Sequence, residues 1–183
     1  MRKEEKSRRE KILRTLFLEQ GGLVIHSGSV KEVCGSFLFV GKSKTGKSTI
    51  TRKLDSIITG INDDMNILKF KKEGIEVSSF FLRSENPGFH YLINEEAKGI
   101  LKAVLFPKME FIKDSHIEKI DDRGHIWKTL LTCVAPPLKG EDELFPNYLS
   151  MLEKLMDSVP FFNIHHNLND SPEFIAELLR GIK

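Results

Sequence analysis

One segment constrains this chain more than any other. Gly41-Lys42-Ser43-Lys44-Thr45-Gly46-Lys47-Ser48 matches Gly-x-x-x-x-Gly-Lys-Ser, and it follows the apolar run Ser36-Phe37-Leu38-Phe39-Val40. Such a run reads as a buried strand, and the residues from Thr49 to about position 58 read as a helix behind the loop. Strand, glycine loop and helix in that order form a phosphate-binding P-loop. The glycines let successive backbone N–H groups turn inward onto phosphate oxygens, and the helix start adds partial positive charge. In this pattern Lys47 reaches the β- and γ-phosphates and the Ser48 hydroxyl holds Mg2+. Gly41, Lys42, Ser43, Lys44, Thr45, Gly46, Lys47, Ser48 and Thr49 are therefore the expected residues for binding a nucleoside triphosphate. Lys44 is unusual, because a small residue is common at its place in the loop.

A P-loop needs acidic partners. Asp63 and Asp64 follow the loop by one helix, where the chain returns toward it. One carboxylate is expected to contact Mg2+, and the other to take the proton of an attacking hydroxyl. The bland alternative is a solvated turn, Gly60-Ile61-Asn62-Asp63-Asp64, with Gly60 stopping the helix. His26 follows Leu23-Val24-Ile25 and is expected at a strand end, where an imidazole contacts phosphate or orients a carboxylate. His165 and His166 are adjacent on a late strand and point to opposite faces, so they read as structural. His90, His116 and His125 lack ligand-like spacing, and no zinc site is assigned.

The remaining chain alternates strands and helices. An amphipathic helix over residues 4–19 carries Ile12, Leu13, Leu16 and Phe17 and ends at Gly21-Gly22. Strands 23–25 and 36–40 are expected to form a hairpin, with Gly35 in the turn. Further strands are expected at 66–70, 75–82, 101–106, 116–120 and 161–166. Residues 84–88 read as a loop. Helices are expected at 127–134, at 148–156, and from Pro172 to about Arg180. With 183 residues, no repeats and no clear linker, the expectation is one α/β domain over 1–183 with a mixed sheet and flanking helices. Its parts are an N-terminal helix over 1–20, a phosphate-binding core over 21–70, and the remaining sheet and helices over 71–183.

Net charge is only +2, so a nucleic-acid partner is not expected. The basic N-terminus is interleaved with Glu4, Glu5 and Glu10 and reads as a solvated face. Cys34 and Cys133 are isolated and read as reduced thiols. No apolar run is long enough to span a membrane, and no signal peptide is visible, so the expected location is cytoplasmic.

Gly21-Gly22-Leu23-Val24-Ile25-His26-Ser27, the loop, and Asp63-Asp64 together resemble the catalytic domain of HPr kinase/phosphorylase and its small relatives. That fold is similar to the nucleotide-binding part of ATP-dependent phosphoenolpyruvate carboxykinase. The resemblance covers roughly residues 10–70. It implies ATP and Mg2+ as cofactors, with Lys47 and Ser48 on phosphate and metal. It also implies Asp63 and Asp64 as general base and metal contact, and His26 near the γ-phosphate. Lys44 stands where that family usually has Gly, and the family's C-terminal substrate segment has no counterpart. The activity it implies is γ-phosphoryl transfer to a hydroxyl of a protein or small molecule; monomer and homo-oligomer both stay open. The rival is a nucleotide-binding accessory module that transfers nothing. A GTPase is disfavoured because no Asn-Lys-x-Asp segment is present, and a transporter ATPase because no Leu-Ser-Gly-Gly signature is.

Overall fold

The computed structural model describes residues 15–80, 94, 96–109, 114–138 and 140–183. Its centre is an eight-stranded mixed sheet. Strand β1 (Gly22–Glu32) turns into β2 (Gly35–Val40), and the loop then leads to helix α1 (Lys47–Leu54). Next come β3 (Thr59–Asn62), β4 (Met65–Lys71), β5 (Gly74–Ser79), β6 (Lys98–Met109) and β7 (His116–Lys119). The chain finishes with α2 (Arg123–Cys133), α3 (Phe145–Ser158), β8 (Phe161–His166) and α4 (Pro172–Arg180).

Two long strands organise the sheet because each serves two neighbours in turn. The first half of β1 pairs antiparallel with β4, and its second half pairs antiparallel with β2 and β3. The start of β6 pairs antiparallel with β5, and its later residues run parallel to β2 and β8. Since β4 also pairs with β5, strands β1, β2, β6, β5 and β4 close a circuit. Strand β7 extends the sheet beyond β8.

The apolar runs in β2 and β6 follow from being covered on both faces, since successive side chains alternate. Leu38, Val40, Val104 and Phe106 face one way, into a core shared with Ile126 and Leu130 of α2 and Leu152 and Leu155 of α3. Phe37, Phe39, Ala103 and Leu105 face the other way, against Ile50 and Leu54 of α1 and Ile175 and Leu179 of α4. Each of the Val, Leu, Ile and Phe side chains among them contributes about 1.5–3 kcal/mol by leaving water. Helix α4 starts as expected: the Ser171 hydroxyl accepts from the Phe174 N–H at 3.2 Å, with Pro172 in the first turn. Among the described residues no helix is long and apolar enough to cross a membrane.

The hairpin expected at Gly35 is present, with Gly35 at φ 134, and the strands expected at 66–70, 101–106, 116–120 and 161–166 correspond to β4, β6, β7 and β8. Three expectations need correction. His26 does not end a strand; β1 runs through it to Glu32 because β2 and β3 hold the second half. Helix α1 stops at Leu54 rather than near position 58. Gly60 is not its stop but pairs with Val30 in β3, while its N–H is held by the Asp55 carboxylate at 2.9 Å. Sheet pairing with β1 claims the segment from Thr59 to Asn62. Helix α2 starts at Arg123 rather than Trp127, because the Asp122 carboxylate caps it by accepting from the His125 N–H at 3.1 Å. Residues 15–19 are helical; the earlier part of the expected N-terminal helix, the loop at 84–88, the end of the 75–82 strand and His90 lie outside the described residues.

His166 closes β8 and is 1% exposed, and neither ring nitrogen meets a hydrogen-bond partner among the described residues. Burial and then the nearby Lys53 charge push its pKa below 6.5, with Asp170 and the Asn167 backbone pulling the other way. The unfolded chain therefore takes up this proton before the folded one does. The His166 contribution is intact above about pH 6.5 and is lost as the pH falls toward the depressed folded value. Urea midpoints measured between pH 8 and pH 5 are expected to drop below pH 6.5, and His166→Leu to flatten that drop. An unchanged profile in the variant would remove His166 as the cause.

Candidate functional site

The loop opens directly from the buried end of β2 at Val40. Its shape is fastened through one acceptor, the Lys42 carbonyl. That oxygen receives the Thr45 hydroxyl at 2.9 Å, the Thr45 N–H at 3.4 Å and the Lys47 ammonium at 2.8 Å. Gly46 precedes α1 at φ 95, a left-handed conformation that glycine adopts without strain. Lys44 is also left-handed, at φ 70, but carries a side chain, which is exposed. That conformation costs an L-residue about 1–2 kcal/mol. Lys44→Gly is expected to raise stability by about 0.5–1 kcal/mol after the extra unfolded-state entropy of glycine is deducted. Denaturant unfolding measures this; a destabilised variant would mean that the lysine stem makes up for its own strain.

Lys47 is 4% exposed although it carries a charge. Burial lowers its pKa, while the fields of Cys133 and Asp64 act to raise it. The Ser48 hydroxyl donates to the backbone carbonyl of Asp63 at 3.0 Å, tying the start of α1 to the segment between β3 and β4. The two aspartates there have different surroundings. The Asp63 side chain is fully buried and takes the Arg52 Nε at 2.5 Å. The Asp64 side chain is 45% exposed, with one carboxylate oxygen 3.5 Å from His26 Nε2.

A buried polar network holds this corner. The Asn62 side-chain carbonyl accepts from the Asp64 N–H at 2.8 Å and the Met65 N–H at 3.3 Å, and its amide donates to the Ser79 hydroxyl at 2.7 Å. The Asn66 amide donates to the Ser27 carbonyl at 2.8 Å and its hydroxyl at 2.9 Å, and the Asn66 oxygen receives the Ser29 hydroxyl at 2.6 Å. The Ser27 N–H donates to the Asp64 carbonyl at 3.0 Å. Backbone hydrogen bonds and satisfied side chains thus fix His26 on β1 beside Asp64 in the turn that leads into β4. Arg52, Asn62 and Asn66 carry this arrangement and are absent from the sequence-based set. The available signal was a set of polar residues at alternate positions of apolar strands: Ser27 and Ser29 in β1, Asn66 in β4.

The structure therefore brings Lys47, Ser48, Asp63, Asp64 and His26 together around the loop. Gly41 is buried, and Lys42, Ser43, Lys44 and Thr49 are exposed around it. A cleft of about 300 Å³ opens beside the loop, between the end of β6 and helix α2. A larger one, about 640 Å³, lies by Glu32 and Arg180 and contains no loop residue. Gly41, Lys42 and Thr45 of the loop line the smaller cleft, so size does not identify the site here. Among the described residues no group of three His, Cys, Asp or Glu side chains is arranged to hold a metal by itself.

No family model matches the sequence, and no curated protein sequence matches it. Among solved structures the chain is similar to the HPr(Ser) kinase/phosphatase from Coxiella burnetii. The identity is 12%, over 86% of this chain and 88% of that one, with a TM-score of 0.47.

Proposed function

We propose that the chain binds Mg-ATP in the loop at 41–48 and transfers its γ-phosphoryl group to a hydroxyl on a protein or small-molecule acceptor. The observation carrying this reading is the convergence of a buried Lys47 ammonium with a half-exposed Asp64 carboxylate beside His26. Among the described residues, the Lys47 ammonium donates only to a neutral carbonyl. A triphosphate would supply the anionic oxygens that such a buried cation lacks. The Ser48 hydroxyl directs its proton away to Asp63, so its lone pairs are available to hold Mg2+. Bound there, the ion would neutralise charge on the phosphate oxygens.

In this reading Asp64 is the general base and His26 steers its carboxylate. The acceptor oxygen bonds to the γ-phosphorus as its proton passes to Asp64, and the bond from phosphorus to the bridging oxygen breaks, leaving ADP. Lys47 and the loop N–H groups hold the triphosphate in line. Asp63 is a positioning residue: its carbonyl receives Ser48 and its carboxylate is held by Arg52.

The second reading is a binding module without transfer. The covering of Asp63 by Arg52, which occupies one of the two carboxylates, favours it. Purified protein with γ-labelled ATP, Mg2+ and a cell-extract acceptor pool separates the two. Label transfer that Asp64→Asn loses supports the kinase. Tight Mg-ATP binding with no turnover supports the module, and no binding at all removes both.

A further inference from the structure

The cleft beside the loop has a chemistry that the phosphate site leaves unused. It is lined by Lys42 of the loop, Lys108 of β6, and His125, Lys128, Thr129 and Thr132 of α2. Three lysines line one concavity, and no Asp or Glu lines it among the described residues. Lys42, Lys108 and Lys128 have no ion-pair partner among the described residues. Positive charges around one space favour an anion placed between them. The Thr129 and Thr132 hydroxyls direct their protons to the His125 and Thr129 carbonyls, leaving the cleft's directed positive charge to the lysines. Lysine rather than arginine lines it, which suits a point-charge anion contact more than a bidentate clamp. The volume, about 300 Å³, is at the lower end of ligand-site sizes and suits one small group.

Position gives the cleft its meaning. Gly41, Lys42 and Thr45 belong to both the loop and the cleft, so an occupant abuts whatever the loop holds.

We infer that this cleft binds an anionic group, a carboxylate or phosphate, on the phosphoryl acceptor, and so selects acceptors with negative charge near the reacting hydroxyl. The inference rests on the phosphoryl-transfer reading for its role, though not for its binding chemistry. The anion has two chemical sources, an acidic peptide or a free small molecule.

Isothermal titration without nucleotide separates them. The probes are a hexapeptide with serine flanked by glutamates, its glutamine counterpart, and citrate. Titrants meet the wild type, the Lys108→Ser/Lys128→Ser pair and the charge-keeping Lys108→Arg/Lys128→Arg pair, with thermal unfolding confirming that each variant folds. The expected result is binding of the glutamate peptide or citrate at least tenfold tighter than the glutamine peptide. That binding should weaken at least tenfold in the serine pair, return in the arginine pair, and fall with added salt. The glutamate peptide alone binding assigns the peptide source; citrate alone assigns the small molecule. Equal binding of the glutamate and glutamine peptides with no citrate binding, or an unaffected serine pair, overturns the inference. Mg-ATP titrated into the same proteins reports on the loop independently. Its failure in the wild type sinks the acceptor role even if anions bind. Its loss in the serine pair, with anion binding unchanged, reassigns the lysines to the nucleotide.

Discussion

Replacing Lys47 by Met is expected to abolish useful Mg-ATP binding while leaving the fold at least as stable. The two effects have separate causes. In the folded chain the ammonium is buried, its pKa lowered by desolvation, and it donates to a neutral carbonyl of its own loop. Removing a buried charge of this kind and keeping its apolar stem relieves a cost. The Lys42 carbonyl keeps the Thr45 hydroxyl as a donor, so the loop stays fastened. With triphosphate present the balance reverses. Charge-assisted hydrogen bonds contribute about 1.5–3 kcal/mol each, so losing one or two corresponds to roughly a 10- to 10⁴-fold loss of affinity. The check is a pair of measurements on one preparation: Mg-ATP titration, and urea unfolding without nucleotide. A variant that binds normally would mean that Lys47 only braces the loop. A variant that fails to bind because it has unfolded would appear in the second measurement.

The parts of this fold that sequence reveals are those whose cause is local. The strand, loop and helix around Gly41–Ser48 are dictated by an apolar run and two glycines, although the helix starts at Lys47 rather than the expected Thr49. Ser171-Pro172 announces α4 in the same way, because cap and first turn are neighbours in the chain. The corrected parts depend on distant partners. The first strand is expected to end at His26, before Ser27-Gly28-Ser29. In the fold that segment is strand, because Asn66 satisfies both hydroxyls and because only glycine fits where β1 passes Thr51 of α1. The segment after Leu54 continues a helical pattern until β1 offers it a sheet edge. The division of labour between the two aspartates depends on Arg52, a turn and a half along α1 from Lys47. Its contact with Asp63 spans a helix and a strand, and no short-range pattern encodes it. Adjacent carboxylates look equivalent in a sequence; burial makes them different.

That difference leads to the second large effect, a dissociation between Asp64 and Asp63. Asp64→Asn is expected to cut γ-phosphoryl transfer by about 10²- to 10⁴-fold, the usual contribution of a positioned base. Stability should shift by no more than about 0.5 kcal/mol, because the side chain is 45% exposed and its His26 contact is 3.5 Å long. Mg-ATP binding should persist, since Lys47 and the loop amides remain. Asp63→Asn should behave in the opposite order. Its carboxylate is fully buried and holds Arg52 at 2.5 Å. Losing the charge-assisted bond is expected to cost about 1–3 kcal/mol of stability; the figure stays below that of a wholly buried pair because Arg52 is half exposed and water can take its charge. Transfer should then fall only as far as Ser48 and the loop are displaced. Urea unfolding and label transfer on both variants test the assignment together. If Asp63→Asn abolishes transfer at full stability while Asp64→Asn is active, the roles are exchanged. Arg52 would then have to leave Asp63 when nucleotide binds, and Arg52→Met would be the variant that speeds transfer rather than the one that unfolds the chain.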